Sequence, residues 1–262
     1  MQRLVKWRSD NGEHMFRRFY KALSAIVCLC LAGVLFITVF WLPPFGDPDN
    51  PANNEVPRKY IEEGVQDTGA INVVAGMILD YRAFDTFAES CVLFVAVCAI
   101  ITLLQHDGMP DAFDSILHDM EEPRQNVILK NTAFLLVPMI FVFGCYVILN
   151  GHLSPGGGFS GGAILGAALI LYANAYGTKR AQHFINYRVY SLVVTVCLMF
   201  YVLSKGYSFY TGANNIPSGI PLGTPGNLLS SGLILPLNIA VGLIVACTAY
   251  VICILFSKGA LD

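Results

Sequence analysis

Six glycines, a proline and one histidine fall within twelve residues, Gly151-His152-Leu153-Ser154-Pro155-Gly156-Gly157-Gly158-Phe159-Ser160-Gly161-Gly162, between two apolar runs. The run before covers Val127 to Leu149, and the run after takes in the last glycines, from Gly158 to Tyr176. Each can cross a bilayer, which needs roughly 20 mostly apolar residues. The segment therefore reads as two membrane helices joined by a tight, glycine-rich connection. Gly158, Gly162 and Gly166 stand at small-xxx-small spacing, which lets one membrane helix approach another closely. Two readings of the segment stand side by side: a packing face beside a turn, and a packing face with a polar opening near His152.

Composition supports a membrane chain. Hydrophobic residues make up 55% of the sequence and charged ones only 13%, so a water-exposed surface is not available for most of it. The net charge of −2, with no basic patch outside the membrane flanks, gives no reason to expect a nucleic-acid partner. The amino end carries six Lys or Arg between Met1 and Lys21, followed by the apolar run Ala22–Leu42. That run is too long for a signal peptide and ends in Trp41-Leu42-Pro43-Pro44, not in a small-residue cleavage site, so it reads as a retained anchor helix. The eight cysteines all lie in apolar runs and none forms a Cys-x-x-Cys pair. They read as small apolar filling, and neither a metal site nor a cofactor is expected from this chain alone.

The apolar runs Ala22–Leu42, Ala83–Leu104, Val127–Leu149, Gly158–Tyr176, Val189–Leu203 and Leu233–Phe256 give about six spans. A further run, Gly69–Asp80, is too short to span and reads as a re-entrant or interfacial segment. The fold class expected is all-α, a polytopic membrane protein. Cytoplasmic flanks hold the Lys/Arg excess in such proteins. With six spans and the amino end inside, the inner side holds the six tail charges plus Arg124, Lys179, Arg180, Arg188 and Lys258, eleven in all, against Arg58 and Lys59 outside. Arg82, Lys130 and Lys205 read as helix-end residues and are left out of that count. Both termini are thus expected in the cytoplasm, in a prokaryotic cell membrane. The acidic stretch Gln105–Asn126, with six Asp or Glu, divides the chain. The expected organisation is an amino-terminal module over 1–110, a linker over 111–125 and a four-helix module over 126–262.

Ionisable residues in apolar surroundings are the candidate ion or proton pathway. The richest segment is Asp80-Tyr81-Arg82-Ala83-Phe84-Asp85-Thr86-Phe87-Ala88-Glu89. Asp85 and Glu89 are one helical turn apart on one face, and Arg82 can neutralise Asp80 or Asp85. An interfacial charge cluster and a titrating pathway both fit Asp80, Arg82 and Asp85. Glu89 reaches deepest into the following helix, where a carboxylate is costly and usually faces a polar path. Lys130 reads either as a snorkelling residue or as a relay. His152 reads as a cap or as a titrating group. No catalytic residue is expected.

Two blocks carry a resemblance. The run Asn126–Ala175, with Gly151-His152-Leu153-Ser154-Pro155-Gly156-Gly157-Gly158-Phe159, and the run Leu222-Gly223-Thr224-Pro225-Gly226-Asn227-Leu228-Leu229-Ser230-Ser231-Gly232 followed by Leu237-Asn238-Ile239-Ala240-Val241-Gly242, resemble the B subunit of the Mrp-type multisubunit cation/proton antiporters. Ser160 stands where a larger side chain is commoner, and Lys130 where Arg is as frequent. Thr68-Gly69-Ala70-Ile71-Asn72-Val73-Val74 and the segment from Asp80 to Glu89 resemble the carboxy-terminal end of the large A subunit of the same antiporters, which is a small separate subunit in membrane-bound hydrogenases. Ala88 replaces the usual Gly before the glutamate. The resemblance implies a fusion of two membrane-arm subunits, related to the membrane region of complex I. It implies other antiporter subunits as partners, with hydrogenase or other oxidoreductase subunits as further candidates, all within the lipid bilayer. It does not imply catalysis by this chain. A stand-alone secondary cation transporter is the alternative, weakened by the few charged sites within the spans. A membrane redox enzyme is weakened by the lack of haem, cluster and nucleotide motifs.

Overall fold

The computed structural model describes residues 2–47, 50, 52–104, 126–182 and 184–258. The linker expected over 111–125, and Arg124 with it, lies outside the described residues. No strand occurs among them, and six of their helices are long and apolar enough to cross a membrane. The chain divides into two compact units, Met1–Glu55 and Val56–Asp262.

The first unit is one long helix, α1 (Gln2–Phe40), whose membrane-length part is Phe16–Phe40. It stops just ahead of Pro43-Pro44, since a proline and the residue before it do not continue a helix. Its apolar side chains, Leu29 and Phe36 among them, are exposed within the unit.

The second unit opens with three short pieces. The surface helix α2 (Glu55–Glu62) carries the ion pairs Arg58–Glu62 at 3.0 Å and Lys59–Glu63 at 2.8 Å, each one turn apart. The bond to Glu63 holds the Lys59 ammonium above its ordinary pKa. α3 (Gly64–Thr68) closes on Gly69, whose φ of +69° is the left-handed cap that glycine adopts without strain. α4 (Val73–Gly76) runs without a break into a π-helical turn, π1 (Met77–Tyr81), and Arg82, at φ −117° and ψ 36°, breaks the path before α5 (Ala83–Leu104).

The remaining helices are α6 (Val127–Leu149), α7 (Gly158–Tyr176), the short α8 (Thr178–Gln182), α9 (Tyr187–Ala213) and α10 (Ile234–Lys258). α10 is the axis of the unit: it packs on α7, α9 and α5, while α6 covers the other side of α7. A helix apolar all round belongs inside a bundle, and Leu237, Ile244, Val251 and Leu255 of α10 are wholly buried. Pro236 falls in the first turn of α10, where its missing N–H has no helical partner to lose.

Lipid is as apolar as leucine, so membrane helices associate by close contact and not by expulsion of water. The glycine face of α7 supplies that contact. A Cβ on Gly158 would lie 2.5 Å from the Asn238 carbonyl oxygen, one on Gly162 2.6 Å from the Gly242 carbonyl oxygen, and one on Gly166 2.9 Å from the Ala249 Cβ. Gly158, Gly162 and Gly166 thus run along the line where α7 meets α10. The first N–H of a helix has no intrahelical acceptor, and the Gly158 amide donates instead to Asn238 Oδ1 at 2.8 Å.

One span differs from its apolar run. The run Val189–Leu203 suggests a short helix, with Lys205 at its end. α9 instead extends to Ala213, and Lys205 lies inside it, 4% exposed. Polar residues continue this helix because their faces are buried: Ser204, Lys205 and Thr211 all point into the unit.

Candidate functional site

The short segment between α3 and α5 is anchored by both glycine- and proline-rich loops. Asn72 caps α4, its side-chain oxygen accepting from the amides of Val74 at 3.1 Å and Ala75 at 3.4 Å. Its side-chain nitrogen donates to the carbonyls of Gly151 at 2.8 Å and Ser154 at 3.0 Å, and its backbone N–H donates to the His152 carbonyl at 3.0 Å. From the other loop, the Ser231 hydroxyl donates to the Gly69 carbonyl at 2.9 Å. Ser231 holds a φ of +67°, a left-handed conformation that costs a residue with a Cβ about 1–2 kcal/mol.

The π turn shifts the register of the helix beyond it. The Arg82 amide donates to the Met77 carbonyl at 2.8 Å, five residues back. Two side chains donate to carbonyls on either side of the break: Thr86 Oγ1 to Ile78 at 2.8 Å, and the buried Tyr201 hydroxyl of α9 to Ala83 at 2.9 Å. Such π turns often mark functional positions.

Their effect here is to divide the charged segment in two. Asp80 faces α9, where its Oδ1 accepts from Lys205 Nζ at 2.6 Å; the Lys205 side chain is 5% exposed and that of Asp80 38%. Arg82 turns away and pairs with Asp85 at 2.5 Å, both exposed. Glu89 follows Asp85 along the same outward side of α5, among the exposed Phe84, Val92 and Val95. Among the described residues no cation lies within ion-pair distance of Glu89. Arg82 therefore neutralises Asp85 and not Asp80. The partner of Asp80 is a lysine that sequence reasoning set aside as a helix-end residue. Its signal was the spacing of Ser204, Lys205, Ser208 and Thr211, a polar face on a continuing helix.

His152 and Lys130 stand at opposite ends of α6, about 30 Å apart at 1.5 Å per residue. His152 is fully buried; its Nε2 is 3.4 Å from the Asn227 carbonyl oxygen, and its Nδ1 has no partner among the described residues. Through its own carbonyl it touches Asn72, so it belongs to the anchoring of the short segment. Lys130, in the first turn of α6, is half-buried, and its carbonyl accepts from the Tyr176 hydroxyl at 3.2 Å. The structure thus brings Asp80 and Lys205 together, groups Arg82, Asp85 and Glu89 on another side, and leaves Lys130 remote from His152.

A cavity of about 460 Å³ opens beside the ion pair, lined by Asp67, Thr68, Asp80, Ser208, Thr211 and Ser231 among others. At its rim the Tyr81 hydroxyl donates to Asp67 Oδ2 at 2.6 Å. Burial, then that bond to a carboxylate, pushes the Tyr81 phenol well above its ordinary pKa. Among the described residues no three His, Cys, Asp or Glu side chains stand close enough to hold a metal ion.

A discontinuous helix seated on a glycine-packed bundle of spans defines a class of polytopic membrane subunit, and comparison with known proteins places both halves. Residues 128–251 match the family described as a domain related to the MnhB subunit of Na+/H+ antiporter, and residues 16–122 match MbhE, described as the E subunit of MBH. The chain therefore carries an MnhB-like domain and an MbhE domain. It is 35% identical over 95 residues to the B subunit of the Na(+)/H(+) antiporter of Bacillus subtilis, an alignment covering 36% of this chain and 66% of that one. A chain of the membrane-bound sulfane sulfur reductase, an archaeal respiratory membrane complex, superposes with a TM-score of 0.67 at 26% identity, covering 90% of this chain and 97% of that one. A chain of the Mrp complex from Dietzia sp. DQ12-45-1b superposes with a TM-score of 0.64 at 25% identity, covering 94% of this chain but 27% of its own length.

Proposed function

We propose that this chain is a membrane-arm subunit of a multisubunit sodium/proton antiporter, or of an antiporter-containing respiratory complex, in a prokaryotic cell membrane. In this reading it joins an amino-terminal module over 1–110 to a four-helix module over 126–262 through the linker 111–125. Its partners are further antiporter subunits, with hydrogenase or other oxidoreductase subunits as the redox arm. The charge distribution, eleven Lys or Arg against two, supports both termini in the cytoplasm.

The observation that carries the reading is Glu89. Its carboxylate lies on an exposed apolar face of α5, about 9 Å along the helix from Ala83. A carboxylate in such a place is costly in lipid, so a neighbouring subunit or a water-filled path must meet it. Glu89 then serves as a protonatable site at the boundary between this chain and its neighbour, with Arg82–Asp85 at the mouth of the same face. Glu89→Gln keeps size and most hydrogen bonding but cannot release a proton. The complex should assemble, while sodium-dependent proton movement in membrane vesicles should fall about 10²-fold or more, the lower end of what a positioned proton-transfer group contributes. Glu89→Asp should retain part of it. Parental transport by an assembled Glu89→Gln complex across a range of pH would make the carboxylate structural only.

A further inference from the structure

The polar wall of the cavity beside Asp80 accepts more than it donates. Five hydroxyls line it; Ser218 accepts from the Ile220 amide at 3.3 Å, and the other four have their proton committed elsewhere. Thr68 donates to the Gly64 carbonyl at 2.7 Å, Ser208 to Ser204 at 3.2 Å, Thr211 to Tyr207 at 3.1 Å, and Ser231 to Gly69 at 2.9 Å. A hydroxyl has one proton and two lone pairs, so these four offer the cavity acceptors. The carboxylates of Asp67 and Asp80 add only acceptors. The polar part of this wall, set beside Ile216, Ile220, Leu222, Leu233 and Ile234, suits a cation with its water better than an anion. A volume of about 460 Å³ holds a small ion with a hydration shell, each water occupying about 30 Å³ of liquid.

Asp80 is shared between two claimants. Its Oδ1 holds the buried Lys205 ammonium at 2.6 Å, while the residue also forms part of the cavity wall. Asp67 is already committed, accepting from Tyr81 and standing 3.6 Å from Lys59. One shared carboxylate among hydroxyl oxygens matches a single positive charge. Hard, oxygen-seeking divalent ions usually take several carboxylates, and no such cluster occurs among the described residues.

We propose that this cavity binds a hydrated alkali-metal cation at Asp80, in competition with the Lys205 ammonium. An arriving ion weakens the Asp80–Lys205 pair, and the ammonium in turn expels the ion. The pair joins π1 to α9, so ion occupancy loosens or tightens the seat of the discontinuous helix. The inference deepens the ion-path reading above by adding an ion site distinct from Glu89.

The test is retention of radioactive sodium by the purified complex in detergent, with choline holding ionic strength constant. Lys205→Met removes the competing charge and should tighten binding about tenfold or more, as expected when a like charge a few ångströms away is deleted. The double variant Asp80→Asn/Lys205→Met removes both charges together and should lose that binding. Thr211→Val and Ser208→Ala, which delete wall oxygens without touching the pair, should each weaken it several-fold and carry the test if the double variant fails to assemble. Weaker binding in Lys205→Met, or retention unchanged in Thr211→Val and Ser208→Ala, overturns the proposal. Glu89→Gln separates the two readings. If it abolishes transport while Asp80-dependent retention is absent, only the cavity site fails. If it transports normally while retention follows Asp80 and Lys205, only the role of Glu89 fails.

Discussion

Lys205 Nζ and Asp80 Oδ1 meet at 2.6 Å across 125 residues of sequence, and the two ends of this pair are not equally buried. The lysine side chain is 5% exposed, whereas the aspartate, at 38%, reaches the cavity. Removing one partner of a buried pair is damaging because it strands the other charge. Asp80→Asn strands a buried ammonium and should cost the complex about 3–5 kcal/mol. Lys205→Met leaves a carboxylate that water can reach and should cost markedly less. Thermal unfolding of the two variant complexes checks the order. Equal losses would mean that Asp80 has no access to solvent.

The glycines of this chain divide by what surrounds them, and substitution should follow that division. A Cβ on Gly162 would meet the Gly242 backbone, which cannot move aside without separating α7 from α10. Gly162→Leu should therefore cost at least the 1–3 kcal/mol typical of overpacking, and complex yield should fall. Gly206 lies in the middle of α9 with nothing within 4 Å of its would-be Cβ. Gly206→Ala should be neutral or stabilise by about 0.5–1 kcal/mol through helix propensity. Yield and thermal midpoint, read together, check both. Destabilisation by Gly206→Ala would show that a partner subunit closes on that face.

Asn72 fastens the short segment with both ends of one amide. Its oxygen caps α4 and its nitrogen holds the Gly151 and Ser154 carbonyls. Asn72→Asp preserves the cap but loses the two donated bonds, and Asn72→Ala loses both functions. A cap is worth about 1 kcal/mol and a hydrogen bond about 1 kcal/mol, so Asn72→Ala should cost about 2–3 kcal/mol, and Asn72→Asp should recover little of it because its carboxylate faces the Gly151 and Ser154 carbonyls. Hydrogen exchange resolved by segment should show faster exchange over 73–81 with little change in α10. Uniform exchange changes throughout the unit would mean that the segment does not open on its own.

The spans were legible because a bilayer demands long uninterrupted apolar runs, a condition that composition alone meets. The glycine spacing at Gly158, Gly162 and Gly166 was legible for the same reason: small residues at one helical repeat have few other uses between two spans. Lys205 was not, because a lysine just past an apolar run reads as one that snorkels to the surface. Only burial shows that Ser204, Lys205 and Thr211 continue the helix inward. The π turn left no mark either. Nothing in Met77-Ile78-Leu79-Asp80-Tyr81 requires it, and the side chains that meet carbonyls on either side of the break, Thr86 and Tyr201, lie outside that stretch. Without it, Asp80 and Arg82 could not be assigned to different partners.

The orientation of the chain is open to direct measurement through the two ends of α9. A helix of 27 residues is about 40 Å long, enough to place Arg188 near one membrane surface and Asn214 beyond the other. The excess of Lys and Arg beside α8, with the tail and Lys258, predicts that the Arg180 end is cytoplasmic. Single cysteines at Arg180 and Asn214, on a cysteine-depleted background, should then behave oppositely. An impermeant maleimide added to intact cells should label Asn214→Cys and spare Arg180→Cys until the membrane is opened. Labelling of Arg180→Cys alone from outside would invert the orientation and move the cavity to the cytoplasmic side. Labelling of both from outside would mean that α9 does not cross, and the six-span arrangement would fall with it.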